Sequence, residues 1–356
     1  MLMRRRTRLT ILSVLLIAVL LVLIVLLRSK APPEPARLLP GADAFVYLNL
    51  KWVRRLDHVI HVPPVTHDLE YDQFIRETGF QVERDLDEAA IAIHYTGSYA
   101  AQDGSPRTTE ILSGRWNSTQ VTDYLRRLSC SVEDYRGVDL FDVPFQGHNV
   151  RVAMLSVGTV AISNVDDVQV IKGIIDRSRK LASPFGGPAL LRTYYPHVPF
   201  GSLAWAIVSS PSQLQNQRVG NLLLPLDYQQ LLSGSVVVVS VRFLRSFHLR
   251  AEVSFPDEGK ASQLAEKLTA LLTIFRSLQP AASSGGADAD VKKFFDSLKV
   301  ASRTENVVLT AAATPDFIRK IFAPPSEPAP AQVSNQVPPP EPSAKPKLKP
   351  KKKPRH

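Results

Sequence analysis

The sequence is poor in cysteine, with Cys130 the only one among 356 residues. An intramolecular disulfide is therefore impossible, which excludes the small cysteine-rich scaffolds of secreted proteins. A chain that is 44% apolar and 21% charged can bury enough surface to fold without such staples. We interpret Cys130 as a packed and inert thiol, because it follows a predicted helix whose C-terminal dipole disfavours a thiolate.

Catalytic and nucleotide-binding motifs are also missing. No two glycines are spaced i, i+2, which excludes the glycine loops of dinucleotide-binding proteins and kinases, and the Gly-x-x-x-x-Gly-Lys loop is absent. The motifs Gly-x-Ser-x-Gly, Ser-x-x-Lys and His-Glu-x-x-His do not occur either. The sequence therefore predicts no catalytic residue and no cofactor, although a triad built from distant residues stays open.

The basic charge lies at the two ends of the chain. Residues 1–30 carry +6 and residues 323–356 carry +5, which leaves −1 for residues 31–322 out of a total of +10. A nucleic-acid-binding fold carries its basic patch on the folded domain. We therefore do not expect nucleic acid as a partner.

A long apolar run predicts a membrane anchor. Residues 9–27 contain no charge, glycine or proline, and as a helix they span about 28 Å, close to the thickness of a bilayer core. The alternative is a cleaved signal peptide, whose apolar part is shorter and precedes a small-x-small cleavage site. We expect an uncleaved, single-pass signal anchor with the lipid bilayer as its partner.

Basic residues predict the orientation of this anchor. Four arginines precede the run within residues 1–8, whereas Arg28, Lys30 and Arg37 follow it. Cytoplasmic flanks are enriched in such residues. We expect a cytoplasmic N-terminus in the inner membrane of a bacterium, with the bulk of the chain in the periplasm.

The exported part is expected to be α+β, with mixed or antiparallel sheets. Strands rich in β-formers alternate with helices that begin at Asn117, Asn164 and Thr314. The order β-β-β-α-β-β-α recurs in one interpretation, which gives two related units. The other interpretation is one irregular α+β domain. Trp52, Trp116 and Trp205 are expected in the core.

The expected segments are a basic end (1–8), the anchor (9–27), a proline-rich stalk (28–40), a first unit (41–180), a joint (181–200), a second unit (201–322) and a tail (323–356).

The tail is rich in proline and lysine and is expected to be disordered, because it holds too little apolar surface for a core. Its basic residues could contact anionic phospholipid or a cell-wall polymer. A TonB-type coupler has a similar spacer, but there the spacer precedes a terminal domain. The predicted contact residues are Lys345, Lys347, Lys349, Lys351, Lys352, Lys353 and Arg355.

Three short stretches resemble a loose set of bacterial membrane-anchored proteins of unknown function, whose exported α+β domain opens with a Leu-Pro-x-Asp/Ala-Ala-hydrophobic strand. The stretches are 39–47 (LPGADAFVY), the helix and turn at 74–80 with the acidic lead 85–88 (DLDE), and 305–310 (ENVVLT). The resemblance implies an exported α+β domain. It implies no activity and no site residues.

Two groups of side chains are candidates for metal binding. His58, His61 and His67 lie within ten residues and could converge on zinc, but Pro63 and Pro64 interrupt the segment and favour exposed loop histidines. Asp85, Asp87 and Glu88 offer oxygen ligands for calcium without the spacing of a calcium loop. We expect no metal.

The sequence favours an anchored envelope protein with a binding or scaffold domain of unknown ligand. The alternative is an exported enzyme, most plausibly a hydrolase whose catalytic residues no motif reveals. A cleft with perturbed carboxyl or histidine groups would favour the enzyme.

Overall fold

The computed structural model describes residues 31–60, 66–95, 106–145, 147–179, 187–210, 231–283 and 289–322. This part of the chain is α+β, as expected, and it contains one large antiparallel sheet of twelve strands. The predicted anchor (9–27) and the tail (323–356) lie outside the described residues. Within the described part, no helix is both long and apolar enough to cross a membrane.

The structure describes twelve strands. They are β1 (Ala44–Asn49), β2 (Leu86–His94), β3 (Arg107–Gly114), β4 (Ser131–Asp134), β5 (Asp139–Phe145), β6 (His148–Ser156), β7 (Thr159–Ser163), β8 (Ser202–Ser209), β9 (Val236–Phe243), β10 (Phe247–Ser254), β11 (Lys299–Arg303) and β12 (Asn306–Ala313).

The helices mostly connect these strands. They are α1 (Glu34–Leu38), α2 (Leu50–Ile60), α3 (Leu69–Thr78), α4 (Val82–Asp85), α5 (Ser118–Leu128), α6 (Val168–Arg179), α7 (Ala189–Tyr194), a 3-10 helix (Tyr195–His197), α8 (Glu258–Ser283), α9 (Ala289–Ser297) and α10 (Pro315–Phe322).

The sheet has the strand order β11-β12-β10-β9-β8-β1-β2-β3-β7-β6-β5-β4. From the central β1–β8 pair outward, the order is β1-β2-β3-β7-β6 on one side and β8-β9-β10-β12-β11 on the other. Strands β5 and β4 extend the first side. The strands of the two predicted units thus form the two halves of one sheet, with the same path through each half.

Helices cover the front face of the first half, which we define as the face that carries Tyr47, Ala90 and Ile111. Helix α6 places Ile171, Ile174 and other apolar side chains on this face, with no exposed surface. A fully buried side chain of this size contributes roughly 1.5–3 kcal/mol. The main core of the molecule therefore lies between α6, α1 and α7 and the centre of the sheet.

The opposite, back face carries three smaller clusters. One packs Leu86 and Ala89 against Phe74, Phe80 and Trp116 from the α3–α5 region. The other two lie on the second half, under α8 and under α9 with α10. Trp205 is 3% exposed in the front core and Trp116 packs in the back cluster, as expected. Trp52 is 49% exposed instead, because it lies on the outer side of α2 beneath the Arg55 guanidinium.

The segment expected to be a stalk contributes to the core. Residues 28–40 include α1, which begins after Pro33, and Ala36, Leu38 and Leu39 are at most 4% exposed. The Arg177 side chain donates a hydrogen bond to the Leu38 carbonyl (2.9 Å). The folded region therefore begins before Gly41, because the apolar side chains between the prolines have a helix to pack against.

Helix starts follow the predicted capping chemistry with one exception. Asn117 accepts hydrogen bonds from Thr119 and Gln120 at the start of α5, and Thr314 accepts one from Phe317 at α10. Asn164, in contrast, accepts from the Thr108 amide (2.6 Å) and ties β7 to β3. Asp167 caps α6 by accepting from the Gln169 amide (2.8 Å). The predicted cap is thus three residues too early, since a strand partner takes the Asn164 side chain.

A buried ion cluster joins the segment between the halves to the second half. The Glu252 side chain is 6% exposed, its carboxylate accepts a hydrogen bond from Arg250 Nη2 (2.7 Å), and His197 Nδ1 lies 3.0 Å from its other oxygen. His197 belongs to the 3-10 helix. Two partners thus compensate the only buried acid of β10 among the residues the structure describes.

Candidate functional site

A polar cleft of about 480 Å³ opens on the front face of the first half. Helix α1 borders it on one side, through Glu34 and Leu38, and the ends of β2, β3, β6 and β7 form the rest. The charged side chains of the cleft are Glu34, Lys51, Asp87 and Glu88.

The floor of the cleft is a row of polar side chains that crosses the sheet. Strand register places Asn49 opposite Glu88, Glu88 opposite Ser113, Ser113 opposite Thr159 and Thr159 opposite Ser156. Directly opposite residues share one face of a sheet. We name Asn49, Glu88, Ser113, Thr159 and Ser156 the polar row. It lies on the front face, where the core gives way to solvent.

The next row inward is apolar. Tyr47, Ala90, Ile111 and Ala161 lie two positions along the same strands and are at most 3% exposed. Small alanine side chains on β2 and β7 leave room for the helices that cover the core. The polar row therefore stands at the edge of a rigid, close-packed region, which holds its groups in place.

Two glycines allow the strand ends behind the cleft to approach each other. The Gly114 amide donates to the Gly158 carbonyl (3.0 Å). A Cβ atom on Gly158 would lie 2.8 Å from the Gly114 carbonyl oxygen, and one on Gly114 would lie 2.8 Å from the Trp116 ring. Any larger residue at these two positions would force the strands apart, so the glycines define the shape of this wall.

Glu88 is an acid of the cleft whose pKa is shifted. Burial raises the pKa of its carboxyl group above the usual range, and the Asp87 and Glu34 charges act in the same direction, while a hydrogen bond with the Tyr47 hydroxyl opposes them. Burial, together with the Glu88 charge, also raises the pKa of Tyr47. A carboxyl group can donate as well as accept a hydrogen bond when it is protonated, and the raised pKa of Glu88 extends the protonated form to higher pH.

Tyr47 is fixed beneath Glu88 by its own contacts. Its ring stacks on Trp205 of β8, with centroids 5.5 Å apart, and its hydroxyl accepts a hydrogen bond from Asn49 Nδ2 (3.3 Å). The side chain that supports Glu88 thus has a defined position.

Asp87 points to a different set of partners from its neighbour Glu88. Its carboxylate pairs with the Arg54 guanidinium, which also donates to the Leu86 carbonyl, and Arg115 Nε lies 3.9 Å away. A register shift between Leu86 and Glu88 separates the two side chains. Asp87 is therefore held by arginines, whereas Glu88 has the Tyr47 hydroxyl as its partner.

The predicted calcium candidates do not converge. Asp85 accepts from the Gln81 amide (3.0 Å) and pairs with Arg84 (2.6 Å), so it caps α4. Asp87 and Glu88 have the separate environments described above. Among the residues that the structure describes, no three histidine, cysteine or acidic side chains are grouped as metal ligands would be.

The predicted zinc candidates lie partly outside the described residues. His61 is outside them altogether, and of His58 only its place in α2 is described. His67 Nε2 lies 2.5 Å from Glu83 Oε1, and its Nδ1 lies 3.3 Å from Asp72. The Tyr71 hydroxyl also donates to Glu83 (2.6 Å). His67 therefore belongs to a local hydrogen-bond cluster that ties α3 to α4.

The charges of this cluster stabilise one another. The hydrogen bond to Glu83 raises the pKa of His67. Burial alone would raise the pKa of Glu83, but hydrogen bonds from Tyr71, from its own amide and from His67 lower it to about 2. His67 and Glu83 thus pair as an imidazolium and a carboxylate in mildly acidic solution.

Cys130 differs from the expectation of a packed thiol. It is exposed, and its Sγ lies 3.3 Å from the Asp142 carbonyl oxygen. It directly precedes β4, the last strand of the sheet, so no further strand of the described chain lies beside it. The prediction was wrong because the sequence does not reveal which strand lies at an edge.

Comparisons with protein-family models and with curated proteins each find no match. Among solved structures, crystal forms I, IV and III of TP0453 are similar to this chain at 9% sequence identity. They cover 82–83% of this chain and 98–99% of TP0453, with TM-scores of 0.41–0.42. At this level of similarity they add nothing to the interpretation of the cleft.

Proposed function

We propose that this chain is a membrane-anchored envelope protein whose exported domain binds a hydroxyl-rich ligand in the polar cleft. The polar row is the observation that carries this proposal. It presents hydroxyl groups from three strands beside a carboxyl group with a raised pKa. Such groups exchange hydrogen bonds with the hydroxyls of a sugar.

Soluble glycan fragments of the cell wall are the probe for this proposal, because an exported domain meets them first. We expect saturation-transfer NMR to show binding by the chain, and Thr159→Val with Ser113→Ala to abolish most of it by removing two hydroxyls. Gly41→Ala is the control, since a Cβ there meets nothing within 4 Å. Equal binding by the double variant and the control would refute the site.

A hydrolase is the second candidate, favoured by the two acids Asp87 and Glu88 in the lining of one cleft, with the pKa of Glu88 raised by burial. Glycoside hydrolysis uses two carboxyl groups, of which the one with the raised pKa serves as the general acid. The same incubations decide between the two: release of new reducing ends, lost in Glu88→Gln, would make the chain an enzyme. Binding without turnover supports the binding protein.

The anchor and its orientation are part of the proposal and rest on residues 1–30. The arginines before the apolar run favour a cytoplasmic N-terminus. Alkaline phosphatase fused after His356 should therefore be active in cells, because it folds only after export. An inactive fusion together with an active cytoplasmic reporter at the same position would refute the orientation.

A further inference from the structure

Both edges of the sheet end in short, exposed strands. In the described part of the chain, β4 pairs only with β5 and β11 pairs only with β12. All four residues of β4 are exposed, including Val132 at 43%, and four of the five residues of β11 are exposed. Such strands present free amides and carbonyls, which can pair with another strand.

The two edges carry opposite charges. Strand β4 ends in Glu133, which also pairs with Lys172 of α6 (2.7 Å), and in Asp134, whereas β11 begins with Lys299 and ends with Arg303. Like charges directly opposite each other destabilise strand pairs, and unlike charges stabilise them. Two β4 strands, or two β11 strands, would therefore repel each other. A β4 strand and a β11 strand would attract.

The direction of the strands also fits this pairing. Every neighbouring pair in the sheet is antiparallel, and the number of strands is even, so β4 and β11 run in opposite directions. A second copy placed beside this edge, and rotated to follow the twist of the sheet, would place its β11 antiparallel to the first copy's β4. The front faces of the two sheets would then lie on the same side.

The backbone amides and carbonyls at the centre of β4 and β11 point outward, away from the sheet. Tyr135 and Val138 exchange both backbone hydrogen bonds at the end of the β4–β5 hairpin. Because this pattern alternates along a strand, the amide and carbonyl of Val132 point away from β5. The two-residue turn between β11 and β12 gives Val300 the same outward orientation.

We propose that β4 of one copy of this chain pairs with β11 of the next copy, which makes the exported domain a head-to-tail scaffold. The register that best fits places Val132 opposite Val300 and Glu133 opposite Lys299. A contact between two different surfaces of identical chains builds a ring or an open row of copies.

Cys130 provides the test, because this register places it opposite Ser302 of the next copy. Antiparallel Cα atoms about 5.5 Å apart suit a disulfide. We expect the full-length chain with Ser302→Cys, oxidised in intact membranes, to form a ladder of dimers, trimers and larger species. The natural chain has one cysteine and cannot exceed a dimer. Ala301→Cys is the control, since its side chain lies on the other face and should give severalfold less ladder.

Charge reversal tests the pairing itself. Lys299→Glu in the Ser302→Cys chain should weaken the ladder. Adding Glu133→Lys together with Lys172→Glu, which reverses the Glu133–Lys172 pair within the chain, should restore it. Equal crosslinking of Ser302→Cys and Ala301→Cys would overturn the proposal. A fast-migrating monomer with an internal disulfide would overturn it too, because it would show that the chain pairs its own edges.

Discussion

Removal of residues 323–356 should abolish the salt-sensitive binding of the exported part to anionic membranes. A chain spanning 31–356 should sediment with vesicles that contain phosphatidylglycerol at low salt. A chain spanning 31–322 should stay in solution, because residues 31–322 carry a net charge of only −1. The expected physical source is the seven lysine and arginine residues between 345 and 355. Each contributes up to about 1 kcal/mol near an anionic surface, so about 7 kcal/mol is the upper bound.

Salt provides the internal control for this result. Since the Debye length falls to about 8 Å at physiological ionic strength, binding should weaken steeply as salt rises. Isolated cell wall in place of vesicles separates the two predicted anionic partners. Equal sedimentation of the two chains, or sedimentation that salt does not change, would show that the tail does not bind.

Arg250→Met should lower the free energy of unfolding more than Arg319→Met, which breaks an exposed ion pair. It leaves the Glu252 carboxylate, which is 6% exposed, with His197 as its remaining partner in this cluster. Breaking a buried pair costs about 3–5 kcal/mol, and the partial exposure of Arg250 reduces this to about 2–3 kcal/mol. Urea unfolding of the 31–322 chain measures the change in the free energy of unfolding.

Two variants separate an unpaired charge from lost packing. The double variant Arg250→Met, Glu252→Gln removes the charge and should recover most of the stability. Arg319→Met breaks the exposed Arg319–Asp316 pair and should cost less than about 1 kcal/mol. If the double variant is no more stable than Arg250→Met alone, loss of the arginine stem explains the result better than the buried charge.

The elements could be predicted because their signals are local. Asn117 and Thr314 cap helices as their sequence context indicates. The valine run of β9 and the alternating residues of β10 identify those strands. The cap of α6 could not be predicted in this way. Asn164, the predicted cap, accepts a hydrogen bond from Thr108, which lies 56 residues away in sequence. Local patterns predict elements and do not reveal which elements compete for a side chain.

The candidate site depends on register, which the sequence does not encode in any local pattern. Glu88, Ser113 and Thr159 come from three strands and meet only because these strands pair in one register. By residue type the acidic pair at the start of β2 is a calcium candidate, yet the register shift sends Asp87 and Glu88 to different partners. The one sequence signal for this site is the position of Glu88, which directly precedes Ala89 and Ala90 in β2.

The position of β1 has a mechanical consequence. The chain enters the fold through the buried helix α1 and continues directly into β1, which lies between β2 and β8 at the centre of the sheet. Tension on the segment before residue 31 would therefore load a central strand along its axis. To yield, β1 would have to slide past both neighbours and break both hydrogen-bonded ladders together. Unzipping one pair at a time would be possible only at an edge, so this attachment suits a domain that must resist pulling from its N-terminal side.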